Sequence, residues 1–188
     1  AEIVEPRGDI RTWRLNAGQG PVVSRNYGKV GKQTTVKTDR DPGSLQGDYG
    51  IAGGLLTVGY DWQSDRVDSD TEYTESRRID DAVFGQWQQT FGSQSLQASA
   101  RHDDNSQFGG KTTGSLLWGW QWSSALRFTA SAGTAYKAPT FNDLYYPDFG
   151  NANLRPENSR SFELGLRGTP GWGKWSLNAF ENRVGELI

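Results

Sequence analysis

The chain has no cysteine, so neither disulfides nor thiolate metal centres are open to it. One histidine among 188 residues leaves too few imidazoles for an ordinary zinc site or a pair of catalytic bases. No run approaches the ~18 consecutive apolar residues of a membrane-spanning helix. Mean hydropathy is -0.73 with 34% hydrophobic residues, which rules out a helical membrane protein. The formal charge of -2 gives no support to a nucleic-acid surface.

What the chain does have is alternation. Apolar side chains fall at every second position in Leu56-Val58-Tyr60-Trp62, Leu96-Ala98-Ala100, Leu116-Trp118-Trp120-Trp122, Leu126-Phe128-Ala130-Ala132, Phe162-Leu164-Leu166 and Trp175-Leu177-Ala179. These are strands with one greasy face. The positions between them, among them Thr57, Asp61, Gln97, Arg101, Arg127, Ser131, Glu163 and Arg167, make the other face wet. Predicted strands are Val30 to Thr38, Gly50 to Trp62, Arg78 to Phe91, Ser95 to Asp104, Lys111 to Trp122, Ala125 to Tyr136, Ser159 to Gly168 and Gly173 to Leu187, with Ile10 to Leu15 as one more.

Connection length decides what the greasy face touches. Asp41-Pro42-Gly43, Gly92-Ser93, Ser123-Ser124 and Thr169-Pro170-Gly171 read as tight turns. Gln63 to Arg77, Asp103 to Gly110 and Lys137 to Ser159 read as longer polar loops. Short and long connections then alternate, which in an up-and-down meander sorts them onto opposite rims. An outer-membrane barrel is laid out this way, with brief periplasmic turns and extended outside loops. The strands match the roughly 9 to 11 tilted residues that cross a bilayer.

Aromatic placement agrees. Trp87, Phe91, Trp120, Trp122, Trp172 and Trp175 lie near short turns, and Tyr60, Trp62 and Tyr136 mark the other rim, as two headgroup belts would require. The fold class expected is therefore all-β: an antiparallel, up-and-down transmembrane β-barrel segment of about eight to nine strands. A soluble carbohydrate-binding β-sandwich would also use large aromatics, and a passive porin would share the barrel features. The chain reads as one partial barrel domain over 1–188, an arc cut from a larger cylinder, opening without an export signal and closing inside a strand.

Catalysis is not expected. His102 stands beside Asp103 and Asp104 with no second imidazole or nucleophile at a fixed offset. Asp80-Asp81 and Asp103-Asp104 are strand neighbours, which point to opposite faces and cannot flank one glycosidic bond. Asp65, Asp68, Asp70, Glu72 and Glu75 form an acidic loop without EF-hand spacing, so it reads as solvated and no metal ligand is assigned.

Two motifs carry a resemblance. Tyr136-Lys137-Ala138-Pro139-Thr140 and Asp143-Leu144-Tyr145 are followed by Gly150-Asn151-Ala152-Asn153-Leu154-Arg155-Pro156-Glu157-Asn158-Ser159. In that order they resemble the strand-loop-strand signature of TonB-dependent outer-membrane receptors. Ala100 to Gly109 is similar to the matching segment of the vitamin B12 receptors of that family. The resemblance implies a barrel of about 22 strands, plugged by an amino-terminal domain and lodged in the outer membrane of a Gram-negative bacterium. It also implies active import of a large ligand, cobalamin or a siderophore, driven by TonB through a TonB box that precedes this segment. Outer-membrane lipid and lipopolysaccharide would be its neighbours. No covalent cofactor is implied, and calcium belongs to parts of the full-length receptor outside this chain.

The motif also has a physical reading. Pro139 and Pro156 cannot donate to a ladder, so each ends a strand. Phe141, Tyr145, Tyr146 and Phe149 are the aromatic content of the loop between them, available either to pack on the rim or to meet an amphipathic ligand. Lys137 and Glu157 are placed to form a local ion pair.

Overall fold

The structure, a computed structural model, describes residues 2–3, 10–27, 33–69, 76–146 and 150–188. Its strands are β1 (Glu2–Ile3), β2 (Ile10–Ala17), β3 (Gly20–Tyr27), β4 (Gln33–Ile51), β5 (Gly54–Ser69), β6 (Arg77–Phe91), β7 (Gln94–Asn105), β8 (Gly109–Ser123), β9 (Leu126–Lys137), β10 (Glu157–Gly168) and β11 (Trp175–Gly185). One short helix, α1 (Phe141–Tyr145), interrupts them. All strands join one antiparallel sheet in the order β1-β2-β4-β5-β6-β7-β8-β9-β10-β11, with β3 also on β4. From β4 onward each strand pairs with the next, as a meander does.

The register sorts side chains by period two. Leu45, Tyr60 and Val83 are cross-strand neighbours, as are Leu116, Ala132 and Phe162, and Phe128, Leu166 and Leu177. Among the described residues nothing packs on this face. Trp62 is 37% exposed, Leu116 50% and Leu164 48%, whereas the apolar side chains buried among the described residues are Val67, Ala82, Phe141 and Leu144. The total accessible surface of 12794 Å² exceeds the roughly 9,000 Å² expected of a compact 20.8 kDa globule. A two-layer sandwich would hide its tryptophans, so that alternative is set aside. The sheet is a single-layer wall whose apolar face needs lipid.

The opposite face is a lattice of ion pairs. Asp48 accepts from Arg14 at 2.9 Å and from Thr57 Oγ1 at 2.7 Å. Asp65 takes both arms of Arg40, at 2.8 and 3.0 Å. Arg101 bridges Asp61 and, at 2.7 Å, Asp103. Except for Arg101–Asp103, which lies within β7, these contacts tie neighbouring or next-nearest strands, so polar links stiffen the lumen side of a single-layer wall.

Four expectations need correction. Asp41-Pro42-Gly43 is no turn: it lies inside β4, opposite Ser64, Gln63 and Trp62. Pro42 leaves a different mark. Gly18 donates to the Pro42 carbonyl at 3.0 Å, but Pro42 has no N–H to return, and the ladder to β4 lapses between β2 and β3. The actual β4–β5 turn is Ala52-Gly53, with φ of 52° and 77°, the left-handed pair that a two-residue hairpin needs.

Second, β7 and β8 are joined through only Ser106–Phe108, so one connection on the long-loop rim is itself tight. Third, several strands exceed the expected length: β4 has 19 residues, β5 has 16 and β6 has 15. β5 continues past Trp62, where the predicted strand ended, to Ser69. β11 ends at Gly185. The predicted turns Gly92-Ser93 and, within a residue, Ser123-Ser124 are present, but Thr169-Pro170-Gly171 is only the first half of a six-residue β10–β11 connection, 169–174, and not a tight turn. Residues 30–32 of the first predicted strand lie outside the described residues.

The short-turn rim carries the aromatic belt. Trp120 packs on Trp122 with ring centroids 4.7 Å apart and on Phe128 at 6.0 Å, and Trp87 lies 6.0 Å from Phe91. On the same outward face Tyr60 donates to Asp81. Its ring thus meets hydrocarbon while its hydroxyl is satisfied.

Candidate functional site

The motif segment builds a platform on the long-loop rim. β9 and β10 stop pairing at Lys137 and Glu157, two residues before Pro139 and one after Pro156. Lys137 Nζ lies 3.6 Å from Glu157 Oε2, closing the neck of the loop with the expected ion pair. Beyond it the chain turns into α1. The Thr140 hydroxyl accepts from the Asp143 N–H at 3.2 Å, while Asp143 Oδ2 accepts from the Thr140 N–H at 2.8 Å, a reciprocal cap.

The return limb folds against this helix. Gly150 N–H donates to the Tyr146 carbonyl at 2.6 Å and Asn151 N–H to the Asp143 carbonyl at 2.8 Å. A Cβ at Gly150 would sit 2.6 Å from the Tyr146 nitrogen and 2.7 Å from the Leu144 oxygen, so glycine is required by space. Asn151 then holds the next turn, its Oδ1 accepting from Asn153 N–H at 3.0 Å and its carbonyl from Leu154 N–H at 3.1 Å. Asn158 Nδ2 donates to the Pro156 carbonyl at 3.1 Å.

The platform is fastened to the rim by Arg78. This buried guanidinium lies 4.6 Å from the Phe141 ring centroid and 5.3 Å from that of Phe108. It donates to Gln107 Oε1 at 3.1 and 2.6 Å and to the Pro139 carbonyl at 2.8 Å. Gln107 in turn donates to the Tyr145 hydroxyl. Asn105 shapes the turn beneath: its Oδ1 accepts from the Gln107 and Phe108 N–H groups at 3.0 and 3.2 Å, and its Nδ2 donates to Asp80 at 3.0 Å. One arginine therefore joins β6, the β7–β8 turn and α1.

The sequence-predicted residues fall into distinct places. Phe141 is 6% exposed and packs with Val67, and Tyr145 and Tyr146 lie partly buried against that pair. Phe149 lies outside the described residues. Pro139 is fully buried, Ala138 and Leu154 half-buried, and Asn153 exposed. The Tyr136 hydroxyl is buried with no hydrogen-bond partner among the described residues. Arg78, Asn105, Gln107 and Phe108 were not singled out in the sequence. Asn105 to Phe108 lie in the segment that carried the resemblance, but nothing near Arg78 announces a partner 61 positions away at Pro139.

Among the described residues no catalytic constellation assembles. His102 Nδ1 lies 2.8 Å from Thr112 Oγ1 on the outward register. Asp80 and Asp81 take their partners on opposite faces, Asn105 and Tyr60. Among the described residues no group of three or more metal-binding side chains gathers, and Asp65 is held by Arg40 and Gln63. Asp70, Glu72 and Glu75 lie outside the described residues.

An apolar outward face, a polar inward one and a built-up long-loop rim define a receptor-type β-barrel wall. Similarity to known proteins makes this particular. A model of the TonB dependent receptor-like β-barrel matches residues 6–188. The vitamin B12 transporter BtuB of Photobacterium profundum is 36% identical over 177 residues, 93% of this chain and 29% of that protein. The siderophore receptor PirA from Pseudomonas aeruginosa superposes with a TM-score of 0.78 at 21% identity, over 92% of this chain and 36% of its own. The FrpB iron transporter from Neisseria meningitidis does so with 0.73 at 13%, over 96% and 34%. At such identities the two superpositions establish the fold alone.

The chain belongs to the TonB-dependent receptor-like β-barrel family, and its place is the Gram-negative outer membrane. It spans about 29% of the length of the curated relative it matches.

Proposed function

We propose that this chain is wall and outer rim of a receptor that imports a large scarce ligand by TonB-delivered energy, and that the ligand is vitamin B12. The observation that carries this reading is the 36% identity to a vitamin B12 transporter over 93% of the chain. The siderophore receptor PirA and the iron transporter FrpB share the fold, but at 21% and 13% identity they do not compete on ligand.

The rim geometry supports a receiving surface. Phe141 and Leu144 are the buried anchors of the α1 platform, while Tyr145 and Tyr146 keep part of their rings accessible. Aromatic faces with polar edges suit an amphipathic corrinoid, and a surface held in place beforehand loses less entropy on binding. The outward face, apolar between aromatic belts, meets outer-membrane lipid and lipopolysaccharide.

The test is equilibrium binding of cyanocobalamin to the complete receptor, with a ferric catecholate siderophore as the second arm. Saturable cyanocobalamin binding that the siderophore does not displace is expected. Siderophore binding without cyanocobalamin binding would overturn the reading. Uptake that persists without TonB would remove the energy-coupling part.

A further inference from the structure

The β8–β9 ladder stops short of the outer rim. Its last register pair there is Ser115 with Gly133, although β8 begins at Gly109 and β9 continues to Lys137. Just beyond that pair the Thr134 hydroxyl accepts from the Gly114 N–H at 3.1 Å, in place of a backbone carbonyl. The two strands stay paired to β7 and β10 but part from each other, which opens a cleft in the wall. Its cavity of about 480 Å³ has Lys111, Thr112, Thr134, Asn158, Arg160 and Arg183 in its lining.

The charge and polarity of this lining select one kind of guest. Arg160 and Arg183 are direct cross-strand neighbours, two residues beyond the outward Phe162 and its partner, and like charges so placed repel. Arg183 gives its Nε and one Nη to Glu181 at 2.6 Å, and Asp103, opposite Lys111 in the β7–β8 ladder, is held by Arg101 at 2.7 Å. Among the described residues Lys111 and Arg160 have no hydrogen-bond or ion-pair partner. Three cations against the one carboxylate that touches them leave the cleft with two positive charges in excess. Asn158 Oδ1 is buried there without a donor among the described residues. Anionic oxygens satisfy the cations and a hydroxyl satisfies the amide oxygen, and a phosphorylated sugar carries both. From Gly168 to Arg160 the tilted β10 climbs about 20 Å, which sets the cleft at the outer headgroups, between the leaflet and external water.

We infer that the cleft between β8 and β9 binds a phosphorylated sugar, its phosphate held by Lys111, Arg160 and Arg183 and its hydroxyls by Thr112 and Asn158. Two sources carry that chemistry: the headgroup of an outer-leaflet glycolipid and a soluble sugar phosphate. The inference rests on the outer-membrane placement of the wall and is independent of the imported ligand.

The experiment titrates the complete receptor in detergent micelles and reads bound species by native mass spectrometry, with bisphosphorylated lipid A, the same lipid stripped of its phosphates, and glucosamine 1-phosphate as probes. Saturable binding of lipid A or of glucosamine 1-phosphate is expected, at least about tenfold weaker for the stripped lipid and at least about tenfold weaker in Arg160→Gln/Arg183→Gln. Arg127→Gln/Arg167→Gln, which removes a cross-strand arginine pair at the short-turn end, leaves the affinity unchanged. Lipid A binding that glucosamine 1-phosphate does not displace assigns the headgroup, and binding of the soluble probe assigns the free sugar phosphate. Heat-modifiable electrophoretic mobility reports whether each barrel is folded. Should the Arg160/Arg183 variant not fold, Lys111→Gln is read in its place, with the same loss expected. Binding that does not need phosphate, no binding of either phosphorylated probe, or an affinity indifferent to Arg160, Arg183 and Lys111 overturns the inference. Cyanocobalamin binding measured on the same preparations separates this failure from failure of the ligand assignment.

Discussion

Replacing Arg78 with alanine should release the outer platform while leaving the wall standing. The substitution removes the donors to Gln107 Oε1 and the Pro139 carbonyl, both neutral acceptors, together with two ring contacts. Charge-assisted hydrogen bonds contribute about 1.5 to 3 kcal/mol each, and a desolvated cation over an aromatic ring about 2. Because water enters the vacated space and the contacts are not additive, the net loss is about 3 to 5 kcal/mol. That loss is local. It raises the opening of the loop by roughly 10² to 5 × 10³-fold without touching the strand ladders.

Hydrogen exchange on the embedded receptor measures it directly. The Leu144 and Tyr146 amides, bonded to the Thr140 and Asn142 carbonyls, report α1, and the Leu164 and Leu116 amides in β10 and β8 report the wall. The α1 amides should exchange faster in Arg78→Ala by the stated factor, with Arg78→Lys intermediate because an ammonium lacks the planar fork. Exchange in α1 unchanged within about threefold, or α1 and the strands loosening together, refutes the assignment of Arg78 as the fastener.

Three further outcomes follow from the same wall. Leu164→Arg, on the outward face, should cost about 2 to 4 kcal/mol in urea titrations of the complete barrel refolded into vesicles, while Ser131→Arg, opposite Glu163 on the lumen face, should be near neutral. Ala52→Gly should stabilise by up to about 1 kcal/mol in that assay, since Ala52 holds a φ of 52°, whereas Gly53→Val should destabilise. Gly150→Ala should loosen α1 by about 1 to 3 kcal/mol, read as faster exchange at Tyr146, because its Cβ meets backbone atoms that cannot yield.

Facing and strand identity were legible because a period of two is carried by each strand on its own. Leu56 to Trp62 or Leu116 to Trp122 announce their outward side without reference to any partner. Turns were less legible. Pro42-Gly43 has the composition of a turn, yet Pro42 falls where a single missing N–H only lapses one ladder, and Asp41 and Gly43 still pair with β5. Ile51-Ala52-Gly53-Gly54 carries no Asn, Asp or Pro, and the chain reverses there. The segment around Asn105 looked like a long loop by polarity, but its Asn105 side chain supplies the bonds that let three residues make the reversal. The platform's aromatics could be named from sequence. Their fastener could not, since Arg78 meets Pro139 only after three intervening strands have set the register.

The extra length of the strands explains where the platform can stand. From Gly54 to the outward Trp62, a strand tilted as in such barrels climbs about 20 Å, close to the ~25 Å apolar band, so the ring sits near the outer headgroups. Arg78 pairs with Asp65 in the ladder, which lifts it roughly a further 8 Å, into water. A guanidinium buried without a carboxylate at the bilayer midplane would be costly, and just above the membrane two aromatic faces and three carbonyl-type bonds are enough to hold it. The same elevation lets Val67 and Phe141 form the one small apolar cluster among the described residues where hydrocarbon is no longer the solvent. Lipid thus organises the lower wall from outside. Above the belt, the protein has to supply its own core, and it does so at the rim where a ligand first arrives.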